Sequence, residues 1–472
     1  MPADDGRDIV IISDLHMSAG YNRRTGTFNR NEDFFYDGAF GRFVDNLLHR
    51  ATTEARTWRL VLLGDLVDFL QVEAPLEREH GLTSSTSTIA KLEIIARGHP
   101  EFFAALGRFI GAGHYVDIVL GNHDIELCWP EVQTRFKALV AEHTQANGHE
   151  QMTFHPWIFY VPGVVYAEHG QQYDDVNSFT TLLQPFLPSE PHLIELPLGS
   201  FFVLYLFNYI ERIDPFADNI RPVTRYLSWA LRAHPVVALS TLGYHVRFFI
   251  RVLRKTSNLS RDEEQARRED YRRNVLPRYG RALGLPEETI AAINHLAAIP
   301  ALSNRWRQLR ALVFRPLLPT IPAIATAIAI FRAASRLEPG TRSLLTFVAG
   351  LAALIWRERR LLRPVTQSGS YLFAAARQIH TELARVGAAV PAYVFGHTHT
   401  AEQFLLEDDD NGPRYFNSGT WTPLVPHSFE LLSTRERFSF VQITRDPASK
   451  DVLARLLVWN DNAERVEPLR LL

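Results

Sequence analysis

The sequence predicts an α+β fold interrupted by a large all-helical insertion, and three observations carry that reading. Short apolar runs of strand length recur through residues 8–180 and again after residue 390, the first set alternating with amphipathic segments. From about residue 186 to 365 no alternating run occurs, only long helical patterns separated by prolines. Five of the apolar runs end alike, on Asp, Asn or His.

Asp8-Ile9-Val10-Ile11-Ile12-Ser13 reads as the first buried strand and leads into Asp14-Leu15-His16. Period two on an extended chain puts Asp14 and His16 on one side. Residues 17–36 are polar and read as a loop over the site. Ala39–Arg56 has helical spacing, with Phe40, Phe43, Val44, Leu47 and Leu48 as its apolar stripe. Val61-Leu62-Leu63 is the second strand, ending at Gly64-Asp65-Leu66-Val67-Asp68. A helix is expected at 89–110, then a strand at Tyr115–Leu120 that ends on Gly121-Asn122-His123-Asp124. Another helix is expected at 130–145, with proline tolerated in its first turn. Phe154–Tyr160 and Val164–Ala167 read as two strands joined by Pro162-Gly163, the second ending on Glu168-His169-Gly170.

In the insertion the helical patterns cover 198–210, 223–255, 262–279, 287–299, 321–336 and 342–362. A helix at 371–386 then leads to the strand Ala392–Phe395, which ends on Gly396-His397-Thr398-His399. Further strands are expected at 402–406, 414–416, 438–444 and 452–459, with a turn at Asn417-Ser418-Gly419-Thr420. The expected organisation is a core from 1–184 and 366–472, with the helical insertion at 185–365.

Composition narrows the class. At 472 residues the chain exceeds one ordinary domain, and 46% apolar content argues against disorder. Cys128 is the single cysteine, so no intrachain disulfide framework exists. The polar start, Met1-Pro2-Ala3-Asp4-Asp5-Gly6-Arg7, lacks the apolar stretch of a secretory signal, and the expected location is the cytoplasm. The formal net charge of -2 hides an asymmetry: residues 185–365 carry 26 Lys and Arg against 14 Asp and Glu, leaving the remainder acidic. Within the insertion three runs, 201–210, 321–331 and 344–356, are apolar nearly all round, and arginines bracket the last. None reaches the length of a spanning helix. They read either as core helices or as a peripheral contact with anionic head groups at the inner face of a membrane.

The five strand ends supply Asp14, His16, Asp65, Asn122, His123, His169, His397 and His399. Carboxylate, amide and imidazole donors without a thiolate suit Mn²⁺, with Fe or Zn²⁺ as alternatives. With His123 set aside, the seven remaining candidates are too many for one catalytic ion with an open position. They suit two divalent ions sharing a carboxylate.

The ordered set Asp14-x-His16, Gly64-Asp65, Gly121-Asn122-His123-Asp124, His169 and Gly396-His397-Thr398-His399 resembles the calcineurin-like metallophosphoesterases. The likeness covers residues 8–180 and 390–425. It implies a four-layer αββα β-sandwich with the site at the strand ends. It further implies that Asp14, His16, Asp65 and His399 hold one ion, and that Asp65, Asn122, His169 and His397 hold the second. His123 would then protonate the leaving group, oriented by Asp68, because Gly64-Asp65-Leu66-Val67-Asp68 matches the family's Gly-Asp-x-x-Asp. The implied activity is a metal-dependent phosphoric ester hydrolase, cleaving a phosphomonoester, phosphodiester or diphosphate bond by attack of a metal-bridging hydroxide.

The place of the insertion resembles that in the UDP-2,3-diacylglucosamine diphosphatase branch, where it forms a lid over acyl chains. That branch has arginine in the place of His123 and a shorter insertion. A lipid-linked or nucleotide substrate is the expectation, with Tyr173, Asp174 and Asn177 as candidate substrate contacts and no specific protein partner. Two other readings stay open: a non-catalytic binding scaffold on the same fold, and a nucleic-acid phosphodiesterase whose basic insertion grips the backbone.

Overall fold

Strand β1 (Asp8–Ile12) is buried along its whole length, as a run of apolar residues at the centre of a sheet should be. It pairs in parallel with β4 (Trp58–Leu63), from Asp8 opposite Trp58 to Ile12 opposite Leu62, and antiparallel with a strand near the far end of the chain. In this computed structural model the described residues are 6–72, 84–144, 148–187, 190–204, 261–303, 307, 371–422, 438–446 and 451–469.

The chain is mixed α/β. A seven-stranded sheet runs β14-β13-β12-β1-β4-β5-β6, and a five-stranded sheet runs β10-β11-β9-β8-β7. The first adds β5 (Tyr115–Val119), β6 (Met152–His155), β12 (Ser439–Arg445), β13 (Val452–Asn460) and β14 (Arg465–Pro468). The second holds β7 (Ile158–Val161), β8 (Val165–Glu168), β9 (Ala392–Phe395), β10 (Glu402–Leu405) and β11 (Arg414–Asn417). A separate hairpin pairs β2 (Tyr21–Asn22) with β3 (Thr27–Phe28). Parallel pairing links β1, β4, β5 and β6 in one sheet and β8, β9 and β11 in the other.

One apolar cluster holds the two sheets together. Ile9, Ile11, Val61, Leu63 and Val119 come from the first sheet, and Phe159, Val165, Ala167, Val394 and Phe416 from the second. Side chains of this size contribute about 1.5–3 kcal/mol each when taken fully out of water. The alternate residues of the same strands meet helices. On the seven-stranded sheet, Phe43 of α1 (Asp37–Thr53) packs against Phe440 and Trp459. On the five-stranded sheet, Phe373 and His380 of α9 (Tyr371–Ala384) meet Tyr415 and Tyr393.

Several expected elements differ, each for a local reason. The run expected as one helix at 89–110 is α2 (Ser85–Gly98) and α3 (Pro100–Gly111), broken where Pro100 follows His99. Ser84 caps α2, its hydroxyl accepting from Ser87 N. The run expected as one strand at 154–160 is β6 and β7, which Pro156 and Trp157 separate into different sheets. Helix α4 (Pro130–Ala141) begins on its proline. The polar loop 17–36 contains the hairpin, and β14 is an additional edge strand.

Within the expected insertion, the described helices are α5 (Leu198–Phe202), α6 (Arg261–Asp270), α7 (Leu276–Leu283) and α8 (Glu287–His295). The expected helix 262–279 continues to Leu283 through a π-helical turn at Tyr271–Val275, ahead of Pro277, which offers no N–H to the preceding turn. This segment docks on the core. Tyr279 Oη accepts from Ile158 N at 2.7 Å, Ala298 N donates to Gln172 O at 2.7 Å, and Arg267 pairs with Glu195. The chain accordingly divides into residues 1–300 with 371–472, and residues 301–370. In the second unit only Ala301–Ser303, a short 3-10 turn, and Arg307 are described. The expected helices at 223–255, 321–336 and 342–362, with their apolar runs and flanking arginines, lie outside the described residues. Among those described, no helix is long and apolar enough to cross a membrane.

Candidate metal centre

All five strand ends meet at one place because β1, β4 and β5 point the same way in one sheet, β8 and β9 do so in the other, and the shared core holds the sheets together. Three groups of side chains converge there: Asp14, His16 and His399; His16, Asp65 and His123; Asp65, His169 and His397. Within each group the candidate donor atoms lie within 4.8 Å of one another. Asp65 is shared by the second and third groups and His16 by the first and second: Asp65 Oδ2 lies 3.1 Å from His169 Nε2 and 3.7 Å from His16 Nε2. His399 Nε2 is 3.2 Å from Asp14 Oδ1 and 3.1 Å from His16 Nε2.

The backbone makes this convergence through left-handed turns. Asp14, His16, Asp65, His397 and His399 all have φ between 50° and 68°. Such values are costly for residues with a Cβ and concentrate at functional sites. Asp14 and His16 therefore reach the same point from turned backbone, not from the extended chain that their spacing suggested. Close packing explains two of the glycines. A Cβ on Gly64 would lie 2.4 Å from His169 Cγ, and one on Gly121 would lie 2.2 Å from Asp65 Oδ1. Each glycine leaves room for a candidate ligand from another strand.

Four buried polar atoms at the centre lack a hydrogen-bond partner among the described residues: Asp14 Oδ1, Asn122 Oδ1, His169 Nε2 and His397 Nε2. Leaving such atoms unpaired is expensive. His169 Nε2 and Asp65 Oδ2 are close but not aligned as donor and acceptor. Donors side by side about 3 Å apart are what bonds of about 2.1 Å to a common ion produce. The buried His and Asp groups could thus hold a metal ion.

The charge balance points the same way. Burial would lower the pKa of His169, but the carboxylates of Asp65 and Asp14 raise it to about 9. Burial likewise opposes the charge on His16, yet Asp14, Asp68 and Asp65 hold it well above the ordinary histidine range. Asp65, against its burial, is held well below the carboxylate range by His169 and His123. A field that retains protons on imidazoles also favours a bound cation.

The sequence matches no family model and no curated protein.

The residues around the candidate ligands divide by what they touch. Asp68 Oδ2 lies 2.6 Å from His123 Nδ1 and 3.4 Å from His16 Nδ1, while its Oδ1 accepts from Leu70 N and Gln71 N. Asp68 therefore both turns the backbone and faces His123. Asp124 accepts from Gly121 N and Leu66 N at 2.6 and 2.7 Å, tying the β4 loop to the β5 loop. Burial, then the charge on Asp65, pushes the Asp124 carboxyl up to about 7.

Tyr173, Asp174 and Asn177 follow His169, and the structure places them in two settings. The Tyr173 hydroxyl donates to Glu168 at 2.7 Å, alongside Tyr166 and Trp157, which donate to the same carboxylate. Asp174 Oδ2 lies 3.5 Å from His397 Nε2 and accepts from Asn177 Nδ2 at 2.8 Å, while its Oδ1 accepts from Val176 N. Asn177 thereby holds Asp174 beside a candidate ligand.

Sequence reasoning missed three supports. Glu168 is a buried acceptor for three side chains directly before His169. Asn417, expected only to turn the chain, donates to Gly396 O and lies 2.9 Å from Thr398 Oγ1, bracing the Gly-His-Thr-His loop. Thr420 Oγ1 donates to Asp14 O at 2.7 Å. Position before or after a ligand motif was the available signal for each.

Proposed function

We propose that this chain is a dinuclear-metal-dependent phosphoesterase of the calcineurin-like metallophosphoesterase type. The observation that carries the reading is the position of Asp65 Oδ2, near His169 Nε2 on one side and His16 Nε2 on the other. A carboxylate so placed can be shared by two ions. The layering supports the same reading: two sheets around one apolar cluster, with α1 outside one and α9 outside the other, as a four-layer αββα sandwich requires.

Asp14, His16, Asp65 and His399 would hold one ion, and Asp65, Asn122, His169 and His397 the other. The oxygen-and-imidazole set fits Mn²⁺, with Fe or Zn²⁺ as alternatives. When bound, such ions acidify a water and offset charge on phosphoryl oxygens.

The chain's own groups do the rest. His123 keeps Nδ1 against Asp68 and has its second ring nitrogen to present to the leaving oxygen. Its pKa is raised: burial opposes the charge, but Asp68 and Asp65 outweigh it, a direction that suits a proton donor. Asp124 keeps the two ligand loops in register, and Asn417 fixes the loop that carries His397 and His399.

The substrate class proposed is a phosphomonoester, phosphodiester or diphosphate, on a lipid-linked or nucleotide carrier. Turnover of bis-p-nitrophenyl phosphate by Mn²⁺-loaded protein tests the activity. Substantial turnover remaining in Asp65→Ala would defeat the dinuclear reading. A panel of monoesters, diesters and lipid-linked diphosphates then separates the substrate classes.

A further inference from the structure

Between His16 and α1 the chain leaves the core and returns, and the two ends of this excursion are locked down. Met17 forms a parallel bridge to Val67. The buried Glu32 carboxylate accepts from Ser18 Oγ at 2.8 Å and Gly20 N at 2.5 Å through Oε2, and from Phe34 N at 2.8 Å through Oε1. His99 Nε2 lies 3.2 Å from the same carboxylate. Gly20 sits directly on the backbone of Gly98, where a Cβ would lie 2.5 Å from the Gly98 carbonyl carbon. The root of the excursion is therefore part of the packed interior.

Its tip is the opposite. Every residue from Tyr21 to Arg30 is exposed. Strands β2 and β3 pair Tyr21 with Phe28 and Asn22 with Thr27, and Asn22 Oδ1 accepts from Arg24 N to hold the turn. A two-stranded hairpin this short has no stability of its own. The fixed root is what presents it.

The tip carries two aromatic rings and three arginines. Tyr21 and Phe28 are 41% and 38% exposed and touch edge to face, so they make one paired patch and not scattered surface residues. Arg23, Arg24 and Arg30 have no ion-pair partner among the described residues, and residues 17–31 contain no Asp or Glu. An uncompensated cationic tip selects an anionic partner. The rings narrow the choice. Tyr21 and Phe28 meet edge to face at 5.2 Å, and Phe28 meets Phe35 in the same way at 4.9 Å. Rings that lean on one another make a small apolar wedge, whereas stacking of nucleic-acid bases needs open ring faces. Aromatic residues beside arginines are the composition of a membrane–water interface.

We propose that the β2–β3 hairpin seats the protein on an anionic phospholipid surface, with Tyr21 and Phe28 entering the interfacial layer and Arg23, Arg24 and Arg30 pairing with lipid phosphates. The membrane contact does not rest on the phosphoesterase reading; only the turnover control does, and flotation and melting test the contact without it. The proposal also places the contact on the segment that runs directly into His16, apart from residues 185–365.

Vesicle flotation of the full chain tests it. Vesicles of three parts phosphatidylcholine to one part phosphatidylglycerol should carry the protein at low salt, and phosphatidylcholine alone should not. Arginines near such a surface contribute enough that replacing all three by glutamine should weaken partitioning about 100-fold. Tyr21→Ser with Phe28→Ser should weaken it as well. Both variants should melt as the parent does and turn over a soluble phosphoester at the parental rate. Absence of flotation by the parent would overturn the proposal, as would hairpin variants that float like the parent. Tight binding of an oligonucleotide that the arginine variant loses would replace the lipid surface with nucleic acid. Loss of soluble-ester turnover in the variants would assign the hairpin to the catalytic site instead.

Discussion

Asp68 Oδ2 lies 2.6 Å from His123 Nδ1. Burial opposes the Asp68 charge, but His123, and then His16, hold its carboxyl well below the ordinary range. The pair fixes which face of the His123 ring meets the centre and keeps Nδ1 occupied. His123→Ala should therefore lower phosphoester turnover by about 10²–10⁴-fold, the range for loss of a positioned proton donor. Bound metal, measured by elemental analysis, should stay at the parental level. If the variant loses its metal, His123 is a ligand, a role its place beside His16 and Asp65 also permits.

Asp65 Oδ2 lies near both His169 and His16, so in the proposed dinuclear centre its removal should affect both metal positions. Asp65→Ala should be isolated with little Mn²⁺ and no measurable turnover. Chelation of the parent should lower its melting temperature, and restored Mn²⁺ should raise it. At free metal about a hundredfold over Kd, linkage gives about 2.7 kcal/mol of stabilisation. The melting curve of Asp65→Ala should be indifferent to both treatments. Calorimetric scans with and without chelator make the comparison directly.

Asp174 stands 3.5 Å from His397 Nε2. This is the ring nitrogen left unpaired toward the centre, so Asp174 lies beside the proposed place of the ion, and removing one nearby carboxylate charge should lower metal affinity about tenfold. Asp174→Asn should show a loss of about that size by titration calorimetry with Mn²⁺. An affinity equal to the parent's would make Asp174 a substrate contact instead.

His99 is buried between Glu32 and Asp37, at 3.2 and 3.0 Å. Burial works against its charge, but the two carboxylates raise its pKa to about 10. The folded state therefore keeps a proton that the unfolded chain releases near pH 6.5. The sign follows: this stabilisation is complete below about pH 6.5 and is lost as pH rises through about 10. Each unit of that window is worth at most about 1.4 kcal/mol. Urea unfolding of the parent should weaken steadily from neutral to alkaline pH, and His99→Gln should remove most of that slope. A parental slope in the variant would locate the titration elsewhere.

The sequence was most legible where one short run had one role. The apolar stretches before Asp14, Asp65, Asn122, His169 and His397 form strands as expected, because burial on both faces leaves a continuous hydrophobic signal. The candidate donors that converge at the centre were visible for the same reason: each follows its strand within a few residues. What periodicity could not show was the partition of 154–160 between two sheets, since a strand pattern does not name the sheet it joins. Nor could it show the left-handed turns at Asp14 and His16, which depend on atoms brought by β4 and β9. The hairpin at 21–28 was hidden by its polarity, having no buried face to leave a pattern.

Strand β1 is made first and completed last. Its parallel neighbour, β4, is translated soon after it, but its other neighbour, β12, begins at Ser439. At about 5–20 residues per second, the nascent chain carries an open β1 edge for most of its synthesis. His397 and His399 also arrive late, so the carboxylates of Asp14 and Asp65 wait without their counterparts. Unpaired strand edges template association with other chains. Slowing translation upstream of residue 439 should therefore lengthen the exposure of the β1 edge and lower the soluble yield.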